Sequence, residues 1–296
     1  MSNTLKFKTV LSILALITVS CFAFPMVNSS QAAPGQSTQD QEIWQDLKDD
    51  LYENRAIKTK ANWLTMQAPY RAHDAALVPI TIHAEPQKTG QYFKALTLIV
   101  DKNPVPVAAV FELSPKLGTL HIETRIRIDQ YSNVRAIIET NDGQLYMVSK
   151  FVKAAGGCSA PAMKDMDAKM AMLGRSKLRQ FTPAQKVPEG QSTKLSPELR
   201  EVQVMVRHPN YSGMQLNQET GYYIPAHYVS EIQVSVDGEQ LMKVAGAISL
   251  SEDPVIRFRF ASKSKQPMLN LIVRDTKKNE FKNNWQLKAQ TSQQGS

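Results

Sequence analysis

The feature that most constrains the fold is a repeated alternation of apolar and polar residues with a period of two. In "LHIETRIRID", residues 120–129, the even-numbered positions are mostly apolar and the odd-numbered ones are polar or charged. Successive side chains of a strand point to opposite faces, so this pattern predicts a half-buried strand with Arg127 on its polar face. The same pattern predicts strands at 77–83, 94–101, 107–113, 133–140 and 145–153.

The alternation returns in the C-terminal third of the chain, and "FKNNWQL" predicts a last strand there. Asp142-Gly143 and Asp237-Gly238 are typical of tight hairpin turns. Regular short strands separated by such turns are typical of a β-sandwich. The apolar positions of the later strands are Val202, Val204, Val206, Ile232, Val234, Val236, Ile256, Phe258, Phe260, Leu269, Leu271 and Val273.

Two segments lack this alternation. In residues 40–57, Ile43, Leu47 and Leu51 follow helical spacing beside Trp44, which predicts an amphipathic helix against the first sandwich. Residues 155–197 are rich in small, polar and charged residues. We expect a helix in the middle of that segment and a proline-containing linker at its end.

The N-terminus has the pattern of a secretory signal peptide. Lys6 and Lys8 precede the apolar run "TVLSILALITVSCFAF", and Ser30-Gln31-Ala32 offers the small residues that a signal peptidase reads. We expect cleavage after Ala32 and a periplasmic protein. The run is shorter than the roughly 20 residues of a spanning helix, so we expect no membrane attachment after cleavage. A lipoprotein anchored at Cys21 is the weaker alternative, because the residues before it are a poor lead-in.

We therefore predict an all-β fold: two β-sandwich domains joined by a flexible, partly helical linker, with a short N-terminal helix. The predicted segments are a signal peptide (1–32), an N-terminal helix and lead-in (33–64), a first sandwich ending in a cysteine arm (65–158), a linker (159–197), a second sandwich (198–290) and a tail (291–296).

Signal cleavage leaves Cys158 as the only cysteine, so an internal disulfide is excluded. Gly156 and Gly157 precede it, and no bulky side chain lies from residue 154 to 162. We expect a mobile, exposed arm whose thiol functions as a nucleophile. Buried inert packing and an incidental exposed thiol are the alternatives. The neighbouring lysines, expected to lower the pKa of the thiol, are Lys150, Lys153 and Lys164.

A group of methionines follows the cysteine. Thiolate and thioether sulfurs select Cu(I), so one interpretation is a copper site. The same spacings of three and four residues suit an amphipathic helix that packs its methionines on a sandwich face equally well. The residues are Met163, Met166, Met170 and Met172.

The histidines are scattered, and no pair has the spacing of a zinc-binding helix or finger. We expect no resident metal and no cofactor. His121 falls on the polar face of its strand, where we expect it to be solvated. His208 and His227 fall in loops, where a structural role or partner contact is favoured over catalysis. The other two are His73 and His83.

Other motifs are missing from the sequence. It contains no Gly-x-Ser-x-Gly elbow, no phosphate-binding glycine loop, no dinucleotide fingerprint and no Cys-x-x-Cys-His haem site. The formal charge of +8 is spread out, without basic tracts interleaved with aromatics, so nucleic acid is not an expected partner. A modest positive field suits small anions or an acidic partner surface.

Two series of stretches resemble a known pair of families. "LVPITIHAEP", "DKNPVPVAAVFELSP", "ETRIRI" and "FVKAAGGC" resemble SoxY, a periplasmic carrier of sulfur-compound oxidation. "VMVRHPNYSG", "GYYIPAHYVSEIQVSVDGEQL", "AISLSEDPVIRFRF" and "NNWQL" resemble its partner SoxZ. Together they span roughly residues 65–290, as in the fused SoxYZ-like carriers associated with quinoprotein dehydrogenases.

The resemblance implies two immunoglobulin-like β-sandwiches and a carrier that is not itself an enzyme. It also implies that Cys158 holds a small sulfur anion covalently, as in thiosulfate oxidation, with Gly156 and Gly157 as the backbone of the arm. Ser159 and Ala160 stand where the family's tail has glycines, and fusion tethers the arm at both ends.

Three hypotheses follow. The first is a covalent sulfur carrier centred on Cys158, with periplasmic redox enzymes as partners: c-type cytochromes, sulfur-oxidising enzymes or quinoprotein dehydrogenase components. The second is a noncatalytic docking protein for a quinoprotein dehydrogenase or its cytochrome, which would use the loop around His208 and Tyr211. The third is a Cu(I)-binding protein.

Overall fold

A computed structural model describes residues 37–53, 55–161, 166–181 and 199–289 of the chain. The signal peptide, Met163, Lys164 and most of the predicted linker lie outside these residues. The helices are α1 (Thr38–Tyr52) and α2 (Met166–Ala171). The strands are β1 (Ile57–Lys58), β2 (Leu64–Gln67), β3 (Val78–Ala84), β4 (Phe93–Val100), β5 (Val107–Leu113), β6 (Leu120–Ile126), β7 (Ser132–Thr140), β8 (Leu145–Val152), β9 (Ser176–Phe181), β10 (Leu199–Val206), β11 (Val229–Val236), β12 (Glu239–Gly246), β13 (Val255–Ala261), β14 (Met268–Asp275) and β15 (Glu280–Gln286).

The strands form two sheets. The larger has nine strands in the order β1-β8-β7-β4-β5-β12-β11-β14-β15, and the smaller has six in the order β2-β3-β6-β13-β10-β9. The inward side chains of both sheets, such as Ile122, Val234 and Phe258, are buried together in one apolar core. The all-β prediction with a short N-terminal helix is confirmed, and the predicted strands agree with the observed ones to within about two residues.

Each sheet runs without a break from the N-terminal half of the chain into the C-terminal half. In the larger sheet, β5 pairs antiparallel with β12, from Ala109 opposite Gly246 to Leu113 opposite Met242. In the smaller sheet, β6 pairs antiparallel with β13. Backbone hydrogen bonds therefore join the two halves edge to edge, and they satisfy strand edges that would otherwise be open.

Helix α1 packs on the larger sheet largely with the predicted face. Ser37 caps it by accepting a hydrogen bond from the backbone N–H of Asp40 at 3.1 Å. Trp44 and Leu47 pack against the sheet as predicted, whereas Leu51 is 41% exposed. The prediction is wrong at Leu51, because the buried Tyr52 makes the contact at that end of the helix.

Part of the predicted linker belongs to the fold. Residues 176–181 form β9, which pairs antiparallel with β10 at the edge of the smaller sheet. Its alternation was hidden because β9 lies at an edge and none of its side chains is fully buried. The expected helix in the middle of the segment is α2. No helix among the described residues is long and apolar enough to cross a membrane.

A buried ion pair of the larger sheet lies against Trp44 of α1, and it gives a stability prediction. Arg135 donates to Asp101 with Nε at 2.8 Å and Nη2 at 2.7 Å, and its guanidinium lies 4.0 Å from the ring centre of Trp44. Arg135→Met leaves Asp101 buried without its partner, so we expect a loss of about 3–5 kcal/mol in the free energy of unfolding, measured with denaturant.

The matched control is Arg55→Met. Arg55 pairs with Glu139 at 3.3 Å, but its side chain is 43% exposed, so we expect a loss below about 1 kcal/mol. Equal losses in the two variants would contradict the assignment of Arg135 as a structural anchor.

Candidate functional site

The backbone before Cys158 is fixed against the turn that follows β6. Gly156 has φ 77° and donates its N–H to the carbonyl of Asp129 at 2.8 Å, and Gly157 donates to the carbonyl of Ile128 at 2.9 Å. A Cβ built on Gly157 would lie 2.1 Å from the carbonyl oxygen of Ala75. Glycine is required at 157 because the backbones approach too closely for any side chain.

Cys158 itself is buried at the junction of the two halves. Its exposed fraction is 0%, and its carbonyl accepts a hydrogen bond from the Ser212 hydroxyl at 2.5 Å. Ser212 lies in the loop between β10 and β11, so this bond ties the cysteine to the C-terminal half. The expectation of an exposed, projecting arm is wrong for this conformation, since four hydrogen-bonding and packing contacts hold the segment down.

The thiol is also less acidic than expected. Burial raises the pKa of Cys158 to about 11; the negative charge of Asp129 adds to this, and the positive charge of Arg127 partly offsets it. Lys150 and Lys153 do not contribute. A thiol with this pKa is almost wholly protonated at neutral pH and is a poor nucleophile. The predicted lowering of the pKa is therefore wrong while the residue is buried.

Arg127 lies immediately beyond β6 and is 1% exposed, although the alternating pattern placed it on the polar face. Its Nη1 donates to the carbonyl oxygens of Asn210 at 2.6 Å, Ile248 at 3.1 Å and Leu250 at 2.8 Å. Its Nε has no hydrogen-bond partner. The strand has ended at Ile126, so the period-two rule no longer fixes the direction of this side chain.

A cavity of about 830 Å³ opens beside this arrangement. Residues of both halves line it, among them Arg127 and His208, together with Ala160 and Pro161, which follow the cysteine. Gln215 also lines the cavity. Its side-chain oxygen accepts a hydrogen bond from the backbone N–H of Ser212 at 2.9 Å, so Ser212 lies next to this region. Cys158 itself does not line the cavity, which begins two residues further along the chain at Ala160.

His208 and His227 converge on the carboxylate of Asp275, with their rings 4.6 Å apart. The Nε2 atoms lie 3.4 Å and 2.8 Å from Asp275 Oδ2. Burial alone would raise the pKa of Asp275, but hydrogen bonds from Asn279 and His227 outweigh it and lower the pKa to about 2. The carboxylate is therefore ionised and can only accept hydrogen bonds.

This group has the composition of a metal site, with ligand atoms within 4.8 Å of one another, but its hydrogen bonds point to a structural network. His208 Nδ1 accepts the backbone N–H of Asn210 at 3.0 Å, so a neutral ring carries its proton on Nε2 and donates it to Asp275. A metal ligand would need its lone pair at that atom. The network ties the end of β10 to the start of β11 and the end of β14.

The other sequence-predicted residues are dispersed. His121 is not solvated as expected: its side chain is 11% exposed, and its Nε2 lies 3.1 Å from Glu123 Oε1. Met170 and Met172 are exposed, and the side chains of Met163 and Met166 lie outside the described residues. Among the described residues, neither of the two candidate groups of histidine, cysteine and carboxylate ligands includes Cys158. The copper hypothesis stays untested.

Two family models match the chain in series. Residues 48–158 match the sulfur oxidation protein SoxY, and residues 190–286 match the sulphur oxidation protein SoxZ. The SoxY match ends at Cys158 itself. The double sheet therefore belongs to the SoxY and SoxZ families of sulfur-oxidation proteins. The chain is a SoxY domain and a SoxZ domain fused in one polypeptide.

Two of the similar solved structures each cover somewhat more than a third of the chain. The sulfur carrier protein SoxY from Chlorobium limicola f thiosulfatophilum is 19% identical and covers 38% of this chain and 96% of its own, with a TM-score of 0.32. A superoxide reductase (neelaredoxin) from Ignicoccus hospitalis is 11% identical and covers 35% of this chain and 96% of its own, with a TM-score of 0.29. No functional conclusion depends on likenesses of this size. No curated protein sequence matched the chain.

Sequence reasoning found Cys158 and its glycines but missed Ser212, Asp275 and the place of Arg127. Ser212 and Asp275 carry no local motif, and the contacts they make join residues 54 and 67 positions apart along the chain. No sequence signal marked the change at Arg127, because the alternation continues through Ile128 although the strand ends at Ile126.

The close approach at Gly157 gives a prediction for the reactivity of the thiol. The Cβ of Gly157→Ala would collide with the Ala75 carbonyl, so we expect the arm to be displaced and Cys158 to be alkylated faster. A shift of about 1.4 kcal/mol in the closed-to-open equilibrium corresponds to a roughly tenfold faster rate. Ser159→Ala is the control, because Ser159 is exposed and its hydroxyl makes one long bond of 3.4 Å. A Gly157→Ala rate equal to that of the control would show that the arm is not held at Ala75.

His208 gives a prediction for the pH dependence of stability. Burial lowers its pKa from 6.5 to about 4, and the neighbouring His227 adds to this. The unfolded chain therefore binds more protons than the folded one in this range, so stability falls as the pH drops from 6.5 to 4, by roughly 3 kcal/mol.

The variant to test is His208→Asn, which keeps an acceptor near the position of Nδ1 and does not titrate. We expect the loss of unfolding free energy between pH 6.5 and pH 4, measured with denaturant, to be smaller in this variant than in the wild type. The exposed-site control, His73→Asn, should keep the wild-type slope. An unchanged slope in His208→Asn would place the titration on another group.

Proposed function

We propose that this chain holds a sulfur compound covalently on the thiol of Cys158 and presents it to partner redox enzymes. The observation that carries the proposal is the position of the cysteine. It is the last residue of the SoxY match, the one free cysteine among the described residues, and it lies where the two halves meet. The chain itself completes no reaction in this proposal.

Loading follows from thiol chemistry. The Cys158 thiolate attacks one sulfur of a sulfur–sulfur bond in the donor, forming a new bond to that sulfur and releasing the other as a thiolate. The proton of Cys158 leaves to solvent or to the released thiolate, and the exchange consumes no electrons. A second exchange with a thiolate of a partner enzyme unloads the cargo. The buried thiol has a pKa of about 11, so both steps take place when the segment has opened.

Export to the periplasm is part of the proposal and is supported by the signal-peptide pattern of residues 1–32. The partners proposed there are the redox enzymes of sulfur oxidation, including c-type cytochromes and quinoprotein dehydrogenase components. The formal charge of the whole chain is +8, which favours acidic partner surfaces and small anionic cargo.

A docking role is the second candidate. The side chains of His208 and Tyr211, around which it was expected, are buried, but one observation favours a later part of the same loop. The hairpin between Leu216 and Tyr223 is closed by its own backbone hydrogen bonds, and it displays Tyr222 at 77% and Tyr223 at 70% exposure. Exposed tyrosines on an ordered loop are typical of protein interfaces. This loop begins at Gln215, beside the cavity, so docking there would bring a partner close to Cys158.

The first experiment is the intact mass of the mature protein purified from its native periplasm without reductant, measured before and after reduction. We expect a reducible mass increment on Cys158, because the thiol is the proposed attachment point, and the increment identifies the cargo. Cys158→Ser purified in the same way should carry no increment and should keep its fold.

A freely alkylatable, unmodified thiol in the native protein would contradict the carrier proposal and favour docking. In that case Tyr222→Ser with Tyr223→Ser should weaken binding of a partner enzyme, whereas Cys158→Ser should not.

A further inference from the structure

Three arginines are buried among the described residues, Arg127, Arg135 and Arg200, and their surroundings differ. Arg200 donates to the carbonyls of Ser264, Lys265 and Lys288 and does not line the cavity. Arg135 forms a bidentate ion pair with the carboxylate of Asp101. Arg127, at 1% exposure, has only carbonyl oxygens as hydrogen-bond acceptors, and no carboxylate of the described residues lies within 4.0 Å of it. A buried charge without a counter-charge is costly. Arg127 therefore has no carboxylate in direct contact, and Glu252, which is itself paired with Lys169, attracts it only at longer range.

Arg127 is also adjacent to the cysteine arm. The next residue, Ile128, accepts the N–H of Gly157, and Asp129 accepts the N–H of Gly156. Its guanidinium holds the carbonyl of Asn210, two residues before the Ser212 that binds the Cys158 carbonyl. The side chain therefore lies between the two anchor points of the cysteine, and it lines the cavity with Ala160 and Pro161.

The other cations of the cavity are already paired or solvated. Lys169 lies 2.5 Å from Glu252, and Arg207 is paired with Asp253. Arg125 is exposed. The remaining carboxylates near the site are Asp129, beside the thiol, and Asp74, whose Oδ1 accepts the N–H of Ala76 at 2.7 Å. Arg127 is thus the cation that can gain most from an anion placed in the cavity.

We propose that Arg127 is the residue by which the closed cavity selects an anionic group on Cys158 over a neutral one. This inference rests on the proposed carrier role of Cys158 and deepens it, because it assigns recognition of the negative end of the cargo, such as a sulfonate, to one residue. The negative end supplies the direct counter-charge that Arg127 lacks. The loaded arm is then held closed more firmly than the empty arm, whose thiol is neutral when buried.

The test loads Cys158 of the mature chain with two adducts that differ in charge. With 2-sulfonatoethyl methanethiosulfonate or 2-hydroxyethyl methanethiosulfonate, the thiolate attacks the sulfenyl sulfur, methanesulfinate leaves with the electron pair and the thiol proton passes to the buffer. A neutral phosphine then removes each adduct, and mass spectrometry gives the rate. Each rate is divided by that of the same adduct on the protein unfolded in urea, which removes intrinsic differences in reactivity.

We expect the normalised rate for the anionic adduct to be about tenfold lower than for the neutral one, because pairing with Arg127 keeps the arm closed. Arg127→Met should abolish the difference, and Arg127→Lys should keep part of it, since lysine retains the charge without the guanidinium's geometry. Arg125→Met, which removes an exposed cation from the same cavity, should keep the difference.

Equal normalised rates for the two adducts in the wild type would overturn the proposal, as would an Arg127→Met variant that retains the difference. If Arg127→Met does not fold, the wild-type comparison and Arg127→Lys decide the question. The adducts are attached chemically, so the result does not depend on native cargo. If the native protein carries no cargo, the carrier role is refuted, but the comparison of the two adducts can still be interpreted.

Discussion

The antiparallel pairing of β5 with β12 and of β6 with β13 is the constraint on which the rest of the structure depends. Two sandwiches joined only by a linker would sit at variable angles, and loops from the two halves would meet only by chance. Continuous sheets fix those loops relative to one another. The end of β6 and the loop after β10 consequently lie close enough for Arg127 to reach the Asn210 carbonyl and for Ser212 to hold Cys158.

The site combines groups that are unfavourable when considered singly. A buried thiol with a raised pKa is chemically inert, and a buried arginine without a carboxylate is electrostatically costly. Burial protects a thiol from oxidation, since oxidation follows thiolate character and exposure. In the proposed carrier role, the arginine makes the stability of the closed state differ between an empty and a loaded cysteine. The histidine–aspartate network beside them stiffens the loop on which both depend.

The strands could be predicted because alternation depends on local sequence, as in residues 120–126 and 229–236. The junction could not, because nothing in β5 or β12 specifies the other as its neighbour. The burial of Cys158 could not be predicted from the sequence either. Small residues such as Gly156 and Gly157 fit a mobile arm and a tightly docked one equally well, and only the Ala75 and Ser212 contacts decide between them. The predicted lowering of the thiol pKa by the lysines was wrong for the same reason, because the distance of the lysines from the sulfur depends on the fold.

The short spacing between β8 and Cys158 sets a geometric limit on where the thiol can be delivered. The cysteine lies six positions after Val152, the last residue of β8. A fully extended chain spans at most about 3.4 Å per residue, so the sulfur cannot travel farther than roughly 20 Å from the end of that strand. An enzyme with its reactive centre at the bottom of a long channel lies beyond this radius. The fused carrier is therefore suited to enzymes whose reactive atoms lie near their own surface.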